Sequence, residues 1–166
     1  MEFKVQMVAD SLKRIGKLDI PKTIQTLPAE NPYHYRNKGS FAVQEKKGKL
    51  RIGFFKEGTH DIEDAEQCGI LLPPINEMKE WIRKLLLKHH ISIYNENTLK
   101  GFFRGLVIRH SPSTGESLIG LLTTSNVFAK SFIRDLATSA QIEKFHVSGI
   151  VQNFNPSATN IILGDV

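Results

Sequence analysis

The spacing of apolar residues changes period several times along the chain, and each change predicts an element. Over Glu2 to Ile15, Val5, Val8, Leu12 and Ile15 recur at helical spacing, with Glu2 early, Lys13 and Arg14 late, and Gly16 as the stop. A short β stretch is expected over Thr23 to Leu27. From Ser40 the period drops to two: Phe41 and Val43 alternate with polar neighbours, and Leu50, Ile52 and Phe54 repeat this on the return. Lys46-Lys47-Gly48-Lys49 lies between them, so a hairpin is predicted, with positive φ needed at its glycine. Leu72-Pro73-Pro74 then introduces a helix whose stripe is Ile75, Met78, Ile82, Leu85 and Leu86, with Trp81 at the margin. Glu77 and Glu80 lie early in it, and Lys84, Lys88, His89 and His90 lie late, where they suit capping.

Two further strands, Phe102 to His110 and Ser117 to Thr124, flank Ser111-Pro112-Ser113-Thr114-Gly115. Both carry apolar residues on each face, the mark of strands in the middle of a sheet. A third helix is expected from Ser125 or Asn126, with Phe128, Phe132 and Leu136 inward. Phe145 to Asn153 and Thr159 to Leu163 read as the last strands. The sum is an α+β fold: a mainly antiparallel sheet of six to seven strands, joined by hairpins, with three helices. At 166 residues this is one domain.

Charge narrows the class of partner. With 22 Lys+Arg against 17 Asp+Glu the formal charge is +5, which favours a polyanion, nucleic acid ahead of an acidic membrane. No apolar run is long enough to span a bilayer, the N-terminus has no signal-peptide pattern, and one cysteine suits a reducing cytoplasm without an internal disulfide. A helix beginning at residue 2 without a preceding cap suggests a piece of something longer.

The densest recognition chemistry is Pro32-Tyr33-His34-Tyr35-Arg36-Asn37-Lys38, which combines stacking rings with two cations at the entrance to a strand. Such an edge suits single-stranded RNA: bases stack on tyrosines, Arg36 forks onto phosphate or a base edge, and Lys38 adds a point charge. The plain alternative is a strand lead-in with packed tyrosines and solvated cations. Lys46, Lys47, Lys49 and Arg51 at the hairpin tip read either as a phosphate clamp or as a charged turn that resists aggregation. His60, Asp61, Asp64 and Cys68 match no zinc spacing and read as an acidic solvated segment. No glycine-rich phosphate loop and no nucleophile elbow is present, so the chain alone reads as a binding module.

Several ordered segments resemble one family. Tyr35-Arg36-Asn37-Lys38, Gly53-Phe54-Phe55-Lys56, Thr59-His60-Asp61-Ile62, Glu66-Gln67-Cys68 and Lys100-Gly101-Phe102-Phe103-Arg104 resemble the central domain of bacterial RNA (uracil-5-)-methyltransferases. So do Val107-Ile108-Arg109-His110, Thr114-Gly115-Glu116, Gly149-Ile150-Val151-Gln152-Asn153-Phe154-Asn155-Pro156 and Thr159-Asn160-Ile161-Ile162-Leu163-Gly164. The resemblance implies a cytoplasmic enzyme that uses S-adenosylmethionine to methylate C5 of a uridine extruded from ribosomal RNA (23S foremost) or transfer RNA. It implies that Tyr35, Arg36, Asn37 and Lys38 contact RNA; Lys47 and Lys49, which nothing in the family pattern fixes, are weaker RNA-binding candidates from their place at the hairpin tip. It implies that Cys68 is the fourth ligand of a [4Fe–4S] cluster in the intact parent, and that no cluster forms in this chain. Catalytic and S-adenosylmethionine-binding residues would lie in a Rossmann-like domain outside it, as would an N-terminal barrel. The helix over residues 2–16 would pack towards the missing methyltransferase domain, and Gln152, Asn153 and Asn155 would shape that junction. The chain alone is then expected to be inactive. The alternatives are a free-standing RNA-binding module and a structural spacer without RNA contact.

Overall fold

The computed structural model describes residues 2–19, 24–64, 66–125 and 127–156. The chain divides into two compact units, Met1–Pro32 and Tyr33–Val166.

In the first unit, α1 (Glu2–Asp10) continues as one wide π-helical turn over Ser11–Ile15. No residue of either segment is buried. Gly16 follows the turn in right-handed conformation, and Lys17 takes the positive φ of 53°. The glycine is needed for space: a Cβ there would lie 2.8 Å from the Leu12 carbonyl oxygen. Residues 24–27 are not a strand, and the remainder of the expected β stretch lies outside the described residues.

Among the described residues the second unit is built on a six-stranded sheet. Its strands are β1 (Lys38–Lys46), β2 (Lys49–Phe55), β3 (Ile62–Glu63), β4 (Phe103–His110), β5 (Ser117–Thr123) and β6 (Val147–Phe154). They lie in the order β3-β2-β1-β4-β5-β6, antiparallel throughout except for β5 and β6. The helices are α2 (Pro73–Lys88), α3 (Lys130–Ala137) and the short α4 (Ala140–Lys144). Thus the α+β architecture is observed, with a fourth helix among the described residues. The β5–β6 link is a crossover through α3 and α4, in the interval where one helix was expected. A parallel neighbour cannot be reached by a tight turn. The strand expected over 159–163 lies outside the described residues.

Alternation along β1 sets the two faces. Gly39, Phe41 and Val43 are buried, while Lys38, Ser40, Ala42 and Gln44 point to the opposite face. On the buried face Phe41, Ile52, Leu106, Ile108, Ile119 and Leu121 pack with Ile75, Met78, Trp81, Ile82, Leu85 and Leu86 of α2. Trp81 therefore belongs to the core; it is 8% exposed, and its ring lies 6.5 Å from that of Phe145. The opposite face is only partly covered: Leu118 is 39% and Val151 51% exposed. β5 is thus buried on both sides only towards its C-terminal end, where Leu122, on the face of Leu118, is 1% exposed.

α3 begins at Lys130, later than expected, and Ala129 at its N-cap makes no side-chain cap. Ser125 serves the sheet instead, its carbonyl accepting from Thr123 Oγ1 at 2.7 Å and Gln152 Nε2 at 2.9 Å. Asn126 lies outside the described residues. Phe132 and Leu136 are buried as expected, and Phe128 stacks on Phe132 at 4.9 Å. His89 does sit at the C-cap of α2. Its ring, however, reaches α3, with Nε2 3.0 Å from Asp135 Oδ2.

Candidate nucleic-acid interface

The segment Tyr33 to Lys38 is fixed by its backbone. His34 N–H donates to Gly69 O at 2.9 Å, Arg36 N–H to Ile70 O at 2.8 Å, and Leu72 N–H to Arg36 O at 3.0 Å. Arg36 and Leu71 form a parallel bridge. His110 N–H donates to Asn37 O at 3.0 Å, joining the segment to β4 as well. His34 takes a left-handed φ of 54°, uncommon for a non-glycine residue. Its ring Nδ1 lies 2.9 Å from Leu71 O, which holds the side chain inward. Tyr33 and Tyr35 are left 61% and 65% exposed on either side of it. Aromatic area of that size on a backbone tied at four points is a stacking surface already in place.

The strip that holds this segment contains Cys68. Asn76, buried in the first turn of α2, grips the cysteine backbone twice: Cys68 N–H donates to Asn76 Oδ1 at 3.1 Å, and Asn76 Nδ2 donates to Cys68 O at 3.2 Å. Lys79, 1% exposed, ties down the preceding residues through Nζ to Glu66 O at 3.2 Å and pairs with Glu80 Oε1 at 3.1 Å. The thiol is half-buried. Cys68 is the sequence's one cysteine, and among the described residues no three His, Cys, Asp or Glu side chains converge as for a metal. One thiol does not fit a four-thiolate iron–sulfur site.

Lys38, where this segment enters β1, and Arg109 of β4 bring two cations to the open sheet face. Lys38 pairs in register with Arg109 of β4, so two like charges lie directly opposite one another. Such a pair repels unless an anion lies between them. Among the described residues none of Arg36, Lys38 and Arg109 has an ion-pair partner. Arg109 is a residue that reasoning on the sequence noted but did not place. Only the β1–β4 register reveals it.

Lys47 and Lys49 are not brought to this place. Lys47 lies in the two-residue hairpin turn at the far end of β1, where it (φ 53°) and Gly48 (φ 71°) both adopt positive φ, and Lys49 opens β2 opposite Lys46. β1 has nine residues, which puts the turn roughly 26 Å from Lys38 at ~3.3 Å per residue. The acidic run is likewise dispersed. Asp61 pairs with Lys46; His60 Nδ1 lies 3.1 Å from Glu96 Oε2; Asp64 accepts from Arg83 and, at 3.2 Å, from Ile52 N–H. Burial opposes the charge on Asp64, but its bonds to Arg83 and Ile52 prevail and hold its pKa below the ordinary 3.8.

Among the described residues the sheet's parallel connection leaves β5 through Thr124 to Ala129, a loop without glycine, and α3 begins without a side-chain cap. No helix among the described residues is long and apolar enough to cross a membrane.

No family model matches the chain. Whole-sequence comparison is informative. An uncharacterised RNA methyltransferase of Clostridium acetobutylicum is 38% identical over 99% of this chain and 36% of that protein. One from Listeria monocytogenes is 37% identical over the same shares. Among solved structures, Pyrococcus abyssi tRNA (uracil-54, C5)-methyltransferase, in complex with S-adenosyl-L-homocysteine, superposes with a TM-score of 0.70 at 21% identity. The match covers 99% of this chain and 36% of that one, and it establishes the shared fold. Nearly all of its residues align, and the chain is homologous to about a third of the length of the RNA methyltransferases it matches.

Proposed function

We propose that this chain is the RNA-binding central part of an S-adenosylmethionine-dependent RNA (uracil-C5)-methyltransferase acting on ribosomal RNA. Tyr35, Arg36, Asn37 and Lys38 receive the strand, joined by Arg109. The observation that carries the reading is the Lys38–Arg109 pair, without ion-pair partners among the described residues, at the end of a segment tied down by its backbone that carries Arg36 and an exposed Tyr35. Phosphate relieves the Lys38–Arg109 repulsion while a base stacks on the tyrosine. Methyl transfer and cofactor binding belong to other parts of the parent, so the chain alone transfers no methyl group. The exposed Phe3, Met7 and Val8 of α1 are assigned to contact with those parts. The reading calls on no cluster at Cys68.

The test is binding of single-stranded and hairpin ribosomal RNA fragments across a salt series, alongside Arg36→Ala/Lys38→Ala. Each phosphate contact to a single strand contributes about 0.7 to the log–log salt slope, so the double variant should lower it by about 1.4. Absence of binding even at low salt would overturn the reading in favour of a spacer.

A further inference from the structure

A second site lies at the other end of the same sheet face. The loop from Lys56 to Asp61, strands β1 and β2, and the turn from Ile93 to Asn97 enclose a cleft of about 1270 Å³. A small-ligand pocket is roughly 300–1000 Å³, so the cleft has room for a base with its sugar and more.

Three features define what it would accept. Gln44 lines the cleft, and its Oε1 is buried without a hydrogen-bond partner among the described residues. An orphan acceptor of this kind is costly and asks for a donor. The Arg104 guanidinium lies 4.5 Å over the Tyr94 ring and is fixed by a 2.9 Å bond to Asn155 O, and both groups line the cleft as a flat cationic surface. His60, 74% exposed and held by Glu96, adds a ring. The walls also carry acids. Asp61 and Glu96 are paired with Lys46 and His60, while Glu45 and Glu57 remain to repel a phosphate. The cleft is therefore suited to a neutral flat group with N–H donors, its phosphate left outside near Lys47.

We propose that this cleft binds a base of the same single-stranded RNA that engages Tyr35 to Lys38, an inference that rests on the function proposed above. The ring of the base stacks on the Tyr94–Arg104 surface, and a rotation of the Gln44 amide that bares its covered Oε1 lets it accept from an amino or imino N–H of the base. Between the two sites the strand runs along the open face beside Ser40 and Ala42 of β1 and Val107 and Gly120 of β4 and β5, side chains small enough for close approach. Gln44 stands six residues along β1 from Lys38, a separation of roughly 20 Å at ~3.3 Å per residue, so a short oligonucleotide fills one site and a longer one fills both.

The test is fluorescence anisotropy of the whole chain with a labelled trinucleotide and a labelled decanucleotide. Tyr94→Ala removes the stacking ring; Gln44→Leu removes the acceptor with little change of shape. The expected result is that each weakens the decanucleotide about tenfold and leaves the trinucleotide unchanged, while Arg36→Ala/Lys38→Ala weakens both. Native decanucleotide affinity in Tyr94→Ala and Gln44→Leu, with the double variant still impaired, would overturn the cleft and leave the first site standing. Native affinity in all three would overturn both.

Discussion

Replacing Asn76 by alanine should loosen the RNA-facing segment from behind, without touching it. The substitution removes both amide bonds to the Cys68 backbone. The carbonyl of Cys68 keeps one partner, because Leu71 N–H also donates to it at 3.1 Å. Its N–H keeps none among the described residues. A buried donor left unpaired costs ~1–3 kcal/mol, and a lost second bond to a satisfied carbonyl costs less. Because these groups are only partly buried, water recovers some of that, and the expected loss is about 2 kcal/mol. In urea the midpoint should fall with an unchanged slope.

The more telling readout is local. Residues 69–72 hold His34 and Arg36 through their backbone, so Asn76→Ala should raise hydrogen exchange at the His34 and Arg36 amides more than at core amides such as Ile119. RNA affinity should drop in parallel, since the stacking surface is no longer fixed. A uniform loss of protection, with His34 and Arg36 no worse than Ile119, would refute the view that Asn76 supports this segment.

Three further outcomes follow from the structure. Asp64 has a depressed pKa in the fold, so its contribution is fully present above the ordinary 3.8 and is lost as pH falls through the lower folded value; Asp64→Asn should flatten the acid limb of urea stability below pH 3.8. His110 is also depressed, chiefly by burial and then by the charge of His146, so the native fold holds it neutral and stability should decline as pH falls below 6.5; His110→Gln should remove that slope in denaturant titrations between neutral pH and the acid limb. Phe132→Ala should cost about 3–4 kcal/mol by chemical denaturation, because the ring is fully buried, stacks on Phe128 and meets His89 edge-on, joining α3 to α2.

The elements that were legible in the sequence are those whose period is set by one buried face. α2 displays its stripe from Ile75 to Leu86 between a proline start and a basic end, and the β1–β2 hairpin advertises its turn through Lys47-Gly48. Where apolar residues occur on both faces, the pattern loses its meaning. Leu118 looks like a core residue beside Ile119, yet it lies on the open face, because nothing in a strand's own composition states what covers it. The parallel pairing of β5 with β6 was hidden for a related reason. Phe132 and Leu136 announce a helix between them, but a helical connection does not by itself state that the next strand lies parallel beside β5.

The candidate site divides along the same line. Tyr35, Arg36 and Lys38 could be found because recognition chemistry is written in side chains. What makes them a surface could not, since the bonds from residues 34–36 to residues 69–72 run between backbone groups, which every sequence possesses equally. Arg109 shows the intermediate case: its charge was visible, but its place opposite Lys38 depends on a register fixed by Phe41 against Leu106 and Gly39 against Ile108. The functional cations are therefore aligned by the packing of the hidden face. A one-residue slip of β4 against β1 would turn Arg109 towards the core and leave Lys38 without its neighbour. The same apolar alternation that builds the core thus also assembles the anion-binding edge.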